Sequence, residues 1–293
     1  MGRLLKKFVY LTPAEQKILS LLPRGRAVST RELRQAVKNV SPAYVSTLLG
    51  RLAAKKMVAR VGKGVYLAGG AAAPFSEYAF GLALGGKSSY IAFSTAFSLH
   101  NLVSERPATI FVATPHSSKK ILRRSSAEES VGTGASVEYK LVALGSQCFG
   151  AVPFKGSRAV RVSSVPKTFF DCFSHPRYAG GLGKLVEALE ASRMSEGEWS
   201  EFLDYLNALG SNGLRQRVGF VVEKLCSRAV LNAPQGVSQG FLKALEKSVK
   251  RSKTVAVLDA AAPRKGFVDS KWRVLVNPNS VIAFSGVQGV QRR

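Results

Sequence analysis

The 293 residues of the chain include 43 Lys and Arg against 18 Asp and Glu, a net charge of +25. This charge favours a partner with phosphate groups, and a generally basic surface without a partner is the alternative interpretation. Three widely separated cysteines, with no CxxC and no HxxxH spacing, argue against a disulfide framework and a structural zinc site. No apolar run approaches the roughly 20 residues of a membrane span and the first residues lack a secretory core, so we expect a cytoplasmic protein with no membrane partner, metal or cofactor.

Three short helices are predicted near the N-terminus. The sequence "TPAE" at 12–15 has an N-cap Thr, a Pro at the first helical position and a Glu placed for a capping box. The sequence "STRE" at 29–32 has a second capping box, and "SP" at 41–42 begins a third helix. The segment "KNVS" between the second and third helices has the length of a helix-turn-helix turn.

The third helix and the residues after it complete a recognisable arrangement. Four apolar residues of this helix fall on one face: Val45, Leu48, Leu49 and Leu52. Two β-prone runs, "MVARV" and "VYLA", then flank Gly62, Lys63 and Gly64, which is the pattern of a β-hairpin. Three helices followed by a hairpin predict a winged helix-turn-helix domain over residues 1–70.

The face of the third helix opposite its apolar residues carries small or hydrogen-bonding groups. A helix that enters the major groove of DNA needs such a low profile and a few donors. We therefore predict that five residues of this helix contact base edges: Ser41, Ala43, Tyr44, Thr47 and Arg51. Four cations at the helix end and in the hairpin are predicted to contact phosphates: Lys55, Lys56, Arg60 and Lys63.

Positive charge is concentrated in this predicted domain. Residues 1–70 contain fourteen Lys and Arg but only two acids, Glu15 and Glu32, a net charge of +12. Both acids stand in the predicted capping boxes, which leaves no acid to oppose a phosphate backbone. Winged helices also serve as protein-interaction modules, but the charge favours double-stranded DNA as the partner.

The rest of the chain, residues 71–293, is predicted to form a larger mixed α+β domain. The small-residue run "LAGGAAAPF" at 67–75 indicates a linker before it. Strands are predicted within 108–114, 136–144, 157–165, 254–260 and 271–277. Helices are predicted to begin at Pro166 and to occupy 183–191, 196–209, 212–226 and 240–250. The whole chain is therefore expected to be of α+β class.

A second basic patch is predicted in this larger domain. The run "SSKKILRRSS" contributes Lys119, Lys120, Arg123 and Arg124, and "LRQRVGF" contributes Arg215 and Arg217. The arginines of the second run can also cover a helix surface with their aliphatic stems. The patch could extend a DNA footprint or face a protein partner, and the sequence does not decide between these.

No group of residues predicts catalysis. Asp171 and His175 in "FFDCFSHPRY" are the best local candidates for an acid–base pair, but this spacing near a helix end is equally typical of a structural hydrogen bond. No nucleophile or metal-binding cluster accompanies them, and His100 lies on an apolar helix. We therefore expect no catalytic residues and no enzymatic activity.

Five fragments of the larger domain together resemble one known family. They are, in order, "YIAFSTAFSLHNL", "IFVAT", "VRVSSVPKTFFDCFSHPRYAGGL", "LGSNGLRQRVGFVVEKL" and "KWRVLVN". No single fragment is specific, but in this order behind a winged helix they resemble the AbiEi antitoxins of type IV abortive-infection systems. The resemblance runs from about residue 12 to residue 277.

The resemblance implies a cytoplasmic DNA-binding antitoxin that represses its own operon at inverted repeats. It also implies a toxin partner that resembles a nucleotidyltransferase and that is neutralised without the need for a stable complex. The main alternative is a winged-helix transcription factor whose C-terminal domain binds a ligand or a protein. A nucleic-acid enzyme is disfavoured, because no cluster of metal-binding carboxylates is visible in the sequence.

Overall fold

The computed structural model describes residues 10–22, 27–37, 40–62, 64–68, 76–116, 121–124, 137–155, 157–227, 237, 239–249 and 253–277. The protein is of mixed α+β class, as predicted. The chain divides into two compact units, the first comprising Met1–Ile91 with Ala108–Val162 and the second comprising Ala92–Pro107 with Ser163–Arg293. Residue 70, where the sequence places a domain boundary, falls inside the first unit.

The N-terminal elements of the first unit are, in chain order, α1 (Pro13–Leu21), β1 (Ala27–Ser29), α2 (Thr30–Ala36), α3 (Pro42–Ala54), β2 (Val58–Gly62) and β3 (Val65–Ala68). Both predicted capping boxes form, Thr12 with Glu15 and Ser29 with Glu32. In each box the cap hydroxyl accepts a hydrogen bond from the glutamate N–H, and the glutamate carboxylate accepts one from the cap N–H. The cap at Ser41 forms as well, since its Oγ accepts from the N–H of Tyr44. The helix starts predicted from these patterns are therefore confirmed.

Strand β1 was not predicted, and it changes how the hairpin is held. The three strands form one antiparallel sheet in the order β1-β3-β2, in which Ala27 pairs with Leu67 and Ser29 with Val65. Leu67 and Ala68 are therefore buried strand residues, and the linker predicted to begin at Leu67 starts too early. Residues 69–75 of that linker lie outside the described part of the chain.

The remaining elements of the first unit form one helix and a larger sheet. They are α4 (Ser76–Gly85), β4 (Tyr90–Ile91), β5 (Thr109–Thr114), β6 (Ile121–Arg124), β7 (Val137–Ala143), a 3-10 turn (Gly145–Gln147), β8 (Ala151–Phe154) and β9 (Ser157–Ser163). The six strands follow the order β6-β7-β5-β4-β9-β8 across a mixed sheet. Aromatic contact joins α4 to this sheet, since the rings of Phe80 and Tyr139 are 5.2 Å apart.

The second unit is mainly helical. Its elements are α5 (Phe93–Leu99), α6 (Val165–Ser174), a 3-10 turn (Pro176–Tyr178), α7 (Leu182–Ala191), α8 (Glu196–Leu209), α9 (Asn212–Ser227), α10 (Gln239–Val249), β10 (Ala256–Val257), β11 (Phe267–Asp269) and β12 (Val274–Val276). A buried aromatic cluster, including Phe169, Trp199 and Phe202, joins α6 to α8. Strands β10, β12 and β11 form a small sheet in that order. Within the described residues, no helix combines the length and the apolar character that a membrane crossing requires.

Candidate nucleic-acid interface

Helix α3 has one buried face and one exposed face. Val45, Leu48, Leu49 and Leu52 are at most 2% exposed and hold the helix in the core of the N-terminal elements. All five residues predicted to contact bases lie on the exposed side: Ser41, Ala43, Tyr44, Thr47 and Arg51. Gly50 lies on the same side, and a Cβ at that position would meet no atom within 4 Å. The exposed face therefore has a low profile along its middle.

The polar groups of this face differ in how they are engaged. Thr47 Oγ1 donates to the carbonyl oxygen of Ala43 at 3.1 Å, so its hydroxyl oxygen keeps lone pairs that point away from the backbone. Tyr44 is 46% exposed. The side chain of Arg51, in the last turn, has no hydrogen bond or ion pair with any residue in the described part of the chain, although its carbonyl oxygen accepts from the N–H of Lys55. Its guanidinium is thus available to an acceptor from outside the protein.

Lys55 is engaged inside the protein. Its Nζ lies 2.6 Å from Oε2 of Glu15, which is 1% exposed, and donates to the carbonyl oxygen of Tyr10 at 2.8 Å. This hydrogen bond from Lys55 is the main cause that lowers the pKa of Glu15, and the N–H of Thr12 adds to it. Lys55 was predicted to contact phosphates, but here it joins the start of α1 to the end of α3.

Lys56 and Arg60 lie at the surface, as their predicted role requires. Lys56 has φ +58°, and the hydrogen bonds of Lys56 N–H to Ala53 and of Met57 N–H to Leu52 form a Schellman motif at the end of α3. Arg60 lies on β2 opposite Tyr66 of β3. Lys63, at the hairpin tip, lies outside the described residues.

The hairpin tip is attached to the start of α2. The register of β2 and β3 shifts between Arg60 and Gly62, which marks a bulge, and Gly64 takes φ +70°. The N–H of Thr30 donates to the carbonyl oxygen of Gly64 at 2.7 Å. The predicted hairpin is therefore confirmed. The hydrogen bond from Thr30 holds Gly64, at the start of β3, next to the first turn of α2.

The described N-terminal residues expose cations but no acid. Glu15 is buried, and half-buried Glu32 caps α2 and lies 3.6 Å from Nζ of Lys87. Three further cations on α1 and α2 are exposed and were not singled out from the sequence: Lys17, Arg31 and Arg34. Their positions follow from the apolar faces of these helices, so the same periodicity argument used for α3 could have identified them.

The members of the predicted second basic patch fall into both units. In the first unit, Arg123 and Arg124 lie on β6, where they pair in register with Glu138 and Val137 of β7, and Lys119 and Lys120 lie outside the described residues. In the second unit, Arg215 and Arg217 lie on α9, and Arg215 donates to the carbonyl oxygen of Gly210 at 2.9 Å. A single shared patch stays a prediction.

The groups considered for catalysis have structural contacts. Asp171 is buried and forms an ion pair with Lys167, also buried, one turn earlier on α6. Its contact with His175 is the backbone hydrogen bond from His175 N–H to Asp171 O, 2.9 Å long. His100 Nε2 lies 2.7 Å from the carbonyl oxygen of Ser163. The described residues include no group of His, Cys, Asp and Glu side chains that could hold a metal ion.

Comparison with protein families and with curated proteins found no relative of this chain. No protein-family model matches the sequence, and no curated protein matches it at a significant level. The likeness to the AbiEi antitoxins therefore rests on the five sequence fragments given above. The features that bear on function are the geometry of α3 and the β2–β3 hairpin and the charges around them.

Proposed function

We propose that residues 1–70 form a winged helix-turn-helix domain that binds double-stranded DNA, with α3 as the recognition helix and the β2–β3 hairpin as the wing. The observation that carries the proposal is the exposed face of α3, flat at Gly50 and edged by cations, in a part of the chain where neither acid is exposed. The order of helices and strands from α1 to β3 and the sheet order β1-β3-β2 support it.

The residues have distinct roles in this proposal. Side chains on the exposed face of α3, Arg51 above all, contact base edges in the major groove. Lys56, Arg60 and Lys63 contact phosphates beside the helix end and the wing, and these contacts position the protein without reading sequence. Lys55 is not included among these phosphate contacts, because its ammonium group is paired with Glu15 inside the protein.

We further propose that the whole chain is a cytoplasmic antitoxin and autorepressor of a type IV toxin–antitoxin operon, without enzymatic activity. The support is the resemblance to the AbiEi family together with a DNA-binding module at the expected end of the chain. The operator would consist of inverted repeats, and the toxin would resemble a nucleotidyltransferase. The alternative, a winged-helix transcription factor with a ligand- or protein-binding C-terminal part, shares the same DNA-binding module.

DNA binding is tested by fluorescence anisotropy with the full-length protein. The probes are a duplex from upstream of its own coding sequence and a shuffled duplex of the same length. Arg51→Ala should weaken binding to the upstream duplex by about 1–3 kcal/mol more than to the shuffled duplex. Arg193→Ala, which removes an exposed arginine of the second unit, is the matched control and should bind as the wild type does. Equal losses on the two duplexes would remove Arg51 from base recognition, and absence of wild-type binding would refute the proposal.

The antitoxin proposal requires a gene for a nucleotidyltransferase-like protein beside this one, and the role is tested separately in cells that express that protein. The full-length wild type should restore growth and repress a reporter placed behind its own upstream DNA. The full-length Arg51→Ala variant should restore growth but lose repression, because its change is confined to the DNA-binding face. If the wild type represses the reporter without restoring growth, the plain transcription factor is the better description.

A further inference from the structure

The turn between α4 and β4, residues 86–89, holds its exposed tip in a fixed position. Gly86 opens the turn with φ +90°, and the N–H of Ser89 closes it by donating to the carbonyl oxygen of Gly86 at 3.1 Å. The hydroxyl of Ser89, which is buried, donates to the same carbonyl oxygen at 2.6 Å. Lys87 and Ser88 form the tip, and both are exposed.

Two side chains from distant parts of the first unit hold the tip by its backbone. Cys148 Sγ lies 3.4 Å from the carbonyl oxygen of Ser88, and Arg161 Nη1, on β9, donates to the carbonyl oxygen of Lys87 at 3.0 Å. Arg161 is itself exposed, and this contact uses one of its five N–H groups. The structure therefore places two exposed cations, Lys87 and Arg161, next to each other on a fixed support.

The first turn of α2 contacts both this turn and the hairpin tip. Lys87 Nζ lies 3.6 Å from Oε1 of Glu32, whose other carboxylate oxygen accepts from the N–H and the hydroxyl of Ser29. Thr30, two residues before Glu32, donates its N–H to the carbonyl oxygen of Gly64 at 2.7 Å. The two cations are therefore separated from the tip of the proposed wing by a single turn of helix.

The ion pair with Glu32 leaves Lys87 able to change partners. The distance of 3.6 Å is longer than a hydrogen bond, and the side chain of Lys87 is 85% exposed. An ion pair this exposed adds little stability, so a phosphate group can replace it at small cost. Because the tip is held by its backbone, the exchange does not require the turn to move.

We propose that Lys87 and Arg161 bind phosphates of the DNA duplex beyond the wing, so that the DNA-binding surface continues past residue 70 onto the body of the first unit. This extension rests on the DNA-binding function proposed above. Phosphates recur along both strands whatever the sequence, so these contacts add affinity for every duplex. An arginine fork can bind two phosphate oxygens at once, and a support fixed in advance reduces the entropy lost on binding.

The salt dependence of binding tests the two cations. Fluorescence anisotropy is measured on the full-length protein over a series of salt concentrations, with the upstream and the shuffled duplex. Lys87→Gln and Arg161→Gln should weaken binding to both duplexes by the same factor and should each reduce the slope of log affinity against log salt by about one. Lys87→Glu should have a larger effect, and Lys87→Arg should keep the slope of the wild type.

Control variants separate a phosphate contact from a structural effect. Arg193→Gln is matched to Arg161→Gln, because Arg193 of the second unit is also exposed and its Nη1 also donates to a backbone carbonyl oxygen. Lys243→Gln, at an exposed lysine of α10, is matched to Lys87→Gln. Both controls should keep the slope of the wild type. Arg161→Lys keeps the charge, so a slope reduced as much as in Arg161→Gln would overturn the phosphate contact of Arg161.

The length of the duplex tests where the contacts lie. A duplex shortened step by step from its ends should reach a length at which the wild type and the Lys87→Gln, Arg161→Gln double variant bind equally, while Arg51→Ala still binds less tightly. If the difference at Arg51 disappears first, the placement beyond the wing is wrong. Unchanged slopes in both single variants, with Arg51→Ala behaving as expected, would overturn this extension alone. Absence of wild-type binding would overturn the DNA-binding function as well.

Discussion

A side chain added at Gly50, on the exposed face of α3, should change stability and the proposed DNA binding in opposite directions. A glycine within a helix is about 1 kcal/mol less favourable than alanine, and a Cβ at Gly50 would meet nothing within 4 Å. Gly50→Ala should therefore raise the free energy of unfolding by about 0.5–1 kcal/mol. Gly50→Leu should give a similar gain, because leucine is nearly as good a helix former and position 50 is exposed.

The same substitutions should impair DNA binding. A leucine at position 50 adds four carbon atoms to the part of α3 that is proposed to approach the base edges. We expect the affinity for the upstream duplex to fall at least tenfold, about 1.4 kcal/mol, with a smaller loss for alanine. The measurements are urea denaturation for stability and fluorescence anisotropy for DNA affinity, both on the full-length protein.

The matched control is Gly197→Leu in the first turn of α8. A Cβ there also meets nothing within 4 Å, so the variant should keep or slightly raise stability and bind DNA as the wild type does. A stabilised Gly50→Leu protein with unchanged DNA affinity would refute the placement of α3 in the groove. A destabilised Gly50→Leu protein would refute the expectation that position 50 of the helix tolerates a side chain.

Three further variants test other parts of the structure. Lys56→Gly should raise the free energy of unfolding by about 1 kcal/mol, because glycine adopts positive φ without strain. The same change should weaken binding to DNA of every sequence and reduce the salt dependence of that binding; an unchanged salt dependence would remove Lys56 from the phosphate contacts. Lys55→Ala should move the midpoint of acid unfolding to higher pH. Lys55 holds the pKa of Glu15 below its ordinary value, so the pair stabilises the fold at pH values above that ordinary pKa, and this stabilisation is lost as the pH falls through the lowered pKa. An unchanged midpoint would contradict the role of the pair. Gly219→Ala should lower the free energy of unfolding by about 1–3 kcal/mol despite the better helix propensity of alanine, because the added Cβ would overlap the buried ring of Trp272. Tryptophan fluorescence in urea measures the free energy of unfolding, and a stabilised variant would contradict the prediction.

Features encoded in a few adjacent residues were predicted well. The caps at Thr12, Ser29 and Ser41 depend on one side chain and a backbone group three residues away, so the sequence contains all the information. Helices α7, α8 and α9 were predicted to within one residue at each end, because their apolar residues recur with the helical period over several turns. The exposed face of α3 follows from the same periodicity.

Features that depend on distant residues were missed. Strands β1 and β11 have three residues each, too few to show alternation, and they exist because another strand is beside them. The pairing of Lys55 with Glu15 joins residues 40 positions apart, so nothing in either local sequence indicates that Lys55 is engaged.

The hydrogen bond from Thr30 N–H to the carbonyl oxygen of Gly64 should make the β2–β3 hairpin, the proposed wing, and the start of α2 one cooperative unit. Thr30 follows directly on β1, and β1 pairs with β3, so the hairpin cannot open at its base or at its tip without releasing the first turn of α2. Hydrogen exchange at the Thr30 amide should therefore proceed at the rate of the β3 amides. A surface built this way keeps its shape in the free protein, so less conformational entropy would be lost in the proposed binding of DNA.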